Sequence, residues 1–288
     1  VKVYKIFLYL EKKGSDYQAI ILNKEKKLIQ MHFMMNVSRK ELIDAWVEDL
    51  NASCLRKCKE QVKDVVELGN YCRQCLVEKE NTENSYNSKD WSNPTWQVHR
   101  RLKFNAELLS LFDRIKLFEE ASNLGYKFRE EPQIMEWHYH GKNKGSASNF
   151  HHDAVDGIPS QVSVMLLLEE NIGKTHMKLV LNSKNSVFYK AYNSLRHNGW
   201  LPFRNTFYRV NNFLIMKLCK IKKIEGPKDS FFYFNAGDQL HQAVPVANTK
   251  RTIMHLNLTL GNTRLVEDDL NNTNLNNLSD KWFKMLTN

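Results

Sequence analysis

The chain has 288 residues, 42% of them hydrophobic and 26% charged, a composition ordinary for a globular protein with a sizeable core. No apolar run approaches the roughly 20 residues needed to span a bilayer, and five cysteines in a chain this long do not make a secreted disulfide scaffold. The net charge of +10 suits nucleic acid, acidic lipid, an anionic small molecule or simply a solvated basic surface; no helix-turn-helix, RNA-recognition or zinc-finger signature is present, so an acidic small substrate is the preferred use.

In chain order, VKVYKIFLYL lacks the small-residue cleavage site of a signal peptide and reads as a strand or a docked element. Residues 39–80 read as helical: Ser38 can cap a run with Leu42, Ile43, Trp46, Val47 and Leu50 at helical spacing, and Leu55 to Val77 continues it. The polar stretch 81–95 predicts a loop. From Thr95 to Leu124 the pattern Leu102, Phe104, Leu108, Leu109, Leu111, Phe112, Ile115 and Leu117 predicts a long helix, with Gly125 as its cap. After Pro132, IMEWHYHG, QVSVMLLLEE, MKLVLN, NNFLIMKLCKI, DSFFYFNAG and TIMHLNLTL are short β-type runs between turn residues. Helices first and strands later predict an α+β chain, read as one domain over 1–288: a mainly helical region to 128, a core over 130–262 and a tail over 263–288. The expected location is cytoplasmic.

The passage SASNFHHDAVDG and the later FFYFNAGDQLHQAVPVANTKR carry the chemistry. His151 and Asp153 are two apart, so on extended backbone both project to one side while His152 points away. His241 follows a Gly237-Asp238 turn, and Arg251 opens the strand RTIMHLNLT ten residues on. Two histidines and one carboxylate on one face suit iron(II), leaving its other positions open. A guanidinium at Arg251 offers a fork for a carboxylate.

This pattern resembles the iron(II)/2-oxoglutarate-dependent dioxygenases, and GPKDSFFYFNAGDQLHQAVPVANTKR resembles the final core strands of their phytanoyl-CoA hydroxylase-like branch. The resemblance implies a double-stranded β-helix (jelly-roll) core over about 130–262 with flanking helices. It also implies Fe(II) on His151, Asp153 and His241, with 2-oxoglutarate on Arg251 and O2 as co-reactant. Asn149 or Tyr139 would assist the cosubstrate. The implied reaction couples decarboxylation of 2-oxoglutarate to oxidation of a C–H bond, by hydroxylation, desaturation or ring closure.

The substrate expected from the charge is a carboxylated or phosphorylated small molecule, such as an amino-acid-derived product of secondary metabolism or an acidic sugar. Arg196, Arg204 and Arg209, in a segment rich in aromatics, would hold it as a lid, and His138 and His140 could contact it. A protein or peptide substrate, a nucleic-acid demethylase and a non-catalytic jelly-roll binding module are the competing readings. His255 with Arg264 nearly repeats the His–Arg spacing, but apolar neighbours favour a core histidine; His176 is a weaker ligand candidate. Cys54, Cys58, Cys72 and Cys75 fit free thiols used as small hydrophobes, a pair of disulfides, or zinc.

Overall fold

The computed structural model describes residues 7–13, 16–22, 28–29, 42–43, 45–46, 62–78, 82–88, 95–139, 150–153, 161–181, 204–260, 265 and 279–287. Where the sequence suggests one domain, the chain packs as two compact units, Val1–Asp44 and Ala45–Asn288. In the first, β1 (Phe7–Lys13), β2 (Asp16–Leu22) and β3 (Leu28–Ile29) form an antiparallel sheet.

The second unit runs α1 (Val62–Glu78), β4 (Thr82–Ser88), β5 (Thr95–Leu102), α2 (Ala106–Asp113), α3 (Lys116–Leu124), β6 (Lys127–Phe128) and β7 (Gln133–Tyr139). It continues with β8 (Gln161–Leu167), β9 (His176–Val180), α4 (Arg204–Leu218), β10 (Ile221–Ile224), β11 (Phe231–Asn235), β12 (His241–Val244), β13 (Thr249–Thr259) and α5 (Asp280–Leu286). The large sheet has the order β11-β8-β13-β7-β5-β4, with β6 also on β13; the small one is β10-β9-β12. From β8 to β13 the chain passes back and forth between the two antiparallel sheets, which is the jelly-roll arrangement.

Strand alternation assigns the two faces of the large sheet. Val162, Val164 and Leu166 of β8, with Met254, Leu256 and Leu258 of β13, face the helices and join Leu108, Phe112 and Phe118 in the main core. Leu167 and Ile253, of the opposite parity, pack between the sheets with Met177, Leu179, Phe232 and Phe234. The space between the sheets is therefore a lumen with an apolar floor.

Several predicted elements differ. The long helix over 95–124 is instead β5, then α2 capped by the Asn105 side chain on Leu108 N–H, then α3. Gly125 ends α3 in the left-handed region at φ 80, as predicted, its N–H donating to the Ala121 and Ser122 carbonyls. The stretch expected as a loop contains β4, whose polar sequence is held as an edge strand by pairing with β5. The first part of NNFLIMKLCKI belongs to α4, not to a strand: a short apolar run does not distinguish the two by pattern. The tail contains α5, whose Trp282, Met285 and Leu286 are buried in the main core, with Trp282 stacked on Phe128. Cys72 and Cys75 are thiols outside any disulfide, buried in that core on α1; burial pushes the Cys72 thiol up, against a thiolate ligand. Cys54 and Cys58 lie outside the described residues.

Candidate metal centre

His151 and His241 form a directly opposed antiparallel pair. His151 N–H donates to the His241 carbonyl at 2.9 Å, and His241 N–H to the His151 carbonyl at 2.7 Å. A pair that exchanges both backbone bonds puts its side chains on the same side, and the imidazole centroids lie 4.4 Å apart. Asp153 is pinned two residues on by its N–H to the Ala236 carbonyl at 2.8 Å. Its Oδ1 lies 3.5 Å from His241 Nε2 and 3.7 Å from His151 Nε2. The three ligand atoms lie within 4.8 Å of one another. His152 is buried and is not part of this group.

The donor set fits a divalent metal. His241 Nδ1 lies 3.0 Å from the Gln239 carbonyl, which can only accept, so Nδ1 carries the proton and the Nε2 lone pair faces Asp153 when the ring is neutral. Burial acts to raise the Asp153 carboxyl, yet the charge and hydrogen bond of His241 and the charge of His151 outweigh it and hold the carboxyl well below the usual range. Burial acts to lower His241, but Asp153 and the Gln239 carbonyl raise it overall. His241 is enclosed, while the His151 and Asp153 side chains are 26% and 35% exposed, which leaves one side of the group open.

Arg251 faces the lumen on β13, directly opposite Trp137 of β7, with its guanidinium carbon 4.7 Å from the indole centroid. Tyr139, two residues beyond Trp137, shares that face. Among the described residues, the Arg251 Nε and the Tyr139 hydroxyl are both buried without a hydrogen-bond partner. Two buried, unsatisfied donors at one end of an apolar lumen suit an incoming carboxylate. Burial lowers Arg251 from its usual value, and pushes Tyr139 up to about 12 against the pull of Arg251.

The same register corrects His138. It lies opposite Lys250 on the other face of β7, so Trp137 and Tyr139 look into the lumen and His138 looks out. His176 alternates with the lumen residue Met177 and bonds through Nδ1 to the Lys174 carbonyl, outside the ligand group. Asn149, His140, Arg196 and Arg264 lie outside the described residues. Arg204 and Arg209 lie on α4, their side chains outside the description, and Asn212 of that helix accepts Phe150 N–H beside His151.

Two features escape sequence reasoning: the Trp137 platform under Arg251, and a lumen contact of 2.6 Å between His255 Nε2 and Ser163 Oγ. Both depend on cross-strand register. Burial pushes His255 down to about 4, with Asp153 opposing and Arg251 and His99 adding to the fall. Its folded pKa lies below the unfolded value of about 6.5, so the unfolded chain takes the proton first and stability falls as pH drops from about 6.5 towards 4. Denaturant titrations at pH 7 and 5 are expected to show a fall up to about 1.4 kcal/mol per pH unit smaller in His255→Gln than in the parent. Equal falls would assign the acid sensitivity to other groups.

Among the described residues no helix is long and apolar enough to cross a membrane. A chalcone isomerase-like family model matches residues 1–92, a region that includes β1 to β3, α1 and β4. No curated protein matches the chain. Among solved structures, the chain is similar to the non-heme alpha ketoglutarate dependent epimerase SnoN from nogalamycin biosynthesis, at 13% identity over 75% of this chain and 84% of that one, TM-score 0.43. It is similar to a prolyl-4-hydroxylase of Pseudomonas putida, at 13% identity over 76% and 98%, TM-score 0.40. It is also similar to HygX from Streptomyces hygroscopicus, solved with nickel and 2-oxoglutarate bound, at 11% identity over 77% and 87%, TM-score 0.38.

Proposed function

We propose that the chain is an iron(II)- and 2-oxoglutarate-dependent oxygenase that oxidises a C–H bond of a small molecule. The observation that carries this reading is one lumen holding both a His151/Asp153/His241 group and a buried Arg251–Tyr139 donor pair. Bound there, iron(II) with 2-oxoglutarate would supply O2-dependent C–H oxidation, leaving succinate and carbon dioxide.

The chain's own residues do the rest. Gln239 fixes the His241 tautomer, and the Asp153 carboxylate supplies the negative charge that a divalent ion needs. Arg251, braced on Trp137, and the Tyr139 hydroxyl would hold the distal carboxylate of 2-oxoglutarate. Met177, Leu179, Phe232, Phe234 and Ile253 keep the floor of the lumen dry, which strengthens those charge-assisted bonds. The substrate proposed is a small molecule with an anionic group, for which Arg204 and Arg209 on α4 are the candidate contacts.

Anaerobic addition of Fe(II) and then 2-oxoglutarate is expected to produce a visible metal-to-ligand charge-transfer absorption that saturates at one equivalent of each. A protein that binds iron tightly but shows no such band with 2-oxoglutarate would sink the cosubstrate assignment.

A further inference from the structure

The positive charge of this protein is gathered in one stretch. Residues 171–224 contain eight lysines and three arginines and neither Asp nor Glu, while the rest of the chain has 31 basic and 32 acidic side chains. In the structure this stretch supplies β9, α4 and β10, the edge of the small sheet and the helix on its outer face, where Ile215 packs with Val180. Lys217, Lys220 and Lys223 are exposed there. Among the described residues, none of Lys217, Lys220, Lys222 and Lys223 has an ion-pair partner, whereas Lys250 and Lys281 elsewhere do. Lys223 also lies directly opposite Lys178 across the β9–β10 pair, an unfavourable like-charge juxtaposition.

The same surface is apolar. Val210, Phe213, Met216 and Leu218 of α4 are 51%, 61%, 44% and 70% exposed. Val210, Phe213 and Met216 follow each other at intervals of three, so they form one stripe, and Lys217 Nζ lies 6.0 Å from the Phe213 ring centroid.

We propose that the face built from α4 and the edge strand β10 docks on a bilayer containing anionic lipid, with Phe213 and Leu218 entering the interface and Lys217, Lys220 and Lys223 meeting the headgroups. The mixture decides the partner. Lysines alone would serve any polyanion, but of the four exposed apolar residues only Phe213 can stack on a base, whereas all four gain from the acyl boundary. An edge strand of lysines also resists pairing with another sheet, which disfavours a protein strand as the occupant. This inference is independent of the metal centre.

The test is co-sedimentation of the full chain with vesicles of phosphatidylcholine alone or with 30 mole per cent phosphatidylserine, at 0.1 M and 0.5 M NaCl. Binding to the anionic vesicles is expected at low salt, at least about tenfold stronger than to neutral ones, and lost at high salt. Lys220→Glu/Lys223→Glu and, separately, Phe213→Ser/Leu218→Ser should each weaken it by about tenfold or more. Circular dichroism and the iron–2-oxoglutarate absorption would show that both variants keep the fold. No binding to anionic vesicles, equal binding to neutral ones, or indifference to the Phe213/Leu218 change would each overturn the proposal. So would tighter binding to a single-stranded RNA oligonucleotide that survives loss of Phe213 and Leu218, which would reassign the face to nucleic acid.

Discussion

Asp153→Ala is expected to abolish iron-dependent turnover of 2-oxoglutarate and to weaken Fe(II) binding by more than the roughly 10–100-fold that loss of an outer partner costs a metal site. Asp153 is the one carboxylate of the group, its Oδ1 within 3.7 Å of both imidazoles. Without it the ion would have two neutral ligands and no protein charge beside it. His151→Ala and His241→Ala should behave alike. His152→Ala is the control, since His152 is buried outside the group: it should lose some stability to the cavity and keep iron. Iron titration with a circular dichroism check of folding separates the cases. Loss of iron in His152→Ala with retention in His151→Ala would mean that the register of this strand is off by one.

Arg251→Lys is expected to weaken 2-oxoglutarate by about 10–100-fold, the loss of one charge-assisted hydrogen bond of about 1.5–3 kcal/mol, while Fe(II) still binds. The charge survives this change; the planar fork and its stacking on Trp137 at 4.7 Å do not. Titration of the charge-transfer absorption with 2-oxoglutarate at saturating iron reads the effect directly. Tyr139→Phe should weaken 2-oxoglutarate less, because it removes one neutral donor from the same pocket. If Arg264→Lys proved the damaging change and Arg251→Lys the harmless one, the cosubstrate site would move to the pair His255 and Arg264. The present geometry speaks against that pair, because His255 Nε2 is engaged by Ser163 at 2.6 Å.

Much of the candidate site follows from local backbone rules, and these are legible in the amino-acid sequence. A strand has a side-chain period of two, so the spacing His151-x-Asp153 already places both ligands on one side. The same period separates Arg251, Ile253 and His255 from Thr252 and Met254, as their split between the lumen and the helix-side core requires. Gly125 is a comparable case: a left-handed cap at φ 80 is a demand on one residue, and glycine meets it without strain.

What only the tertiary structure decides is phase and partnership. Alternation in WHYHG states that Trp137 and Tyr139 lie opposite His138, but not which set faces the lumen. That depends on β7 pairing with β13, over a hundred residues away, so that Trp137 meets Arg251 and His138 meets Lys250. Apolar periodicity over 95–124 suits a helix, yet Thr95–Leu102 is a strand because β7 and β4 hold its two edges. The apolar residues of α4 read as a strand until the sheet below supplies Val180 for Ile215 to cover. Local chemistry sets each residue's options; long-range pairing selects among them, because a one-residue slip in a strand turns every side chain to the other face.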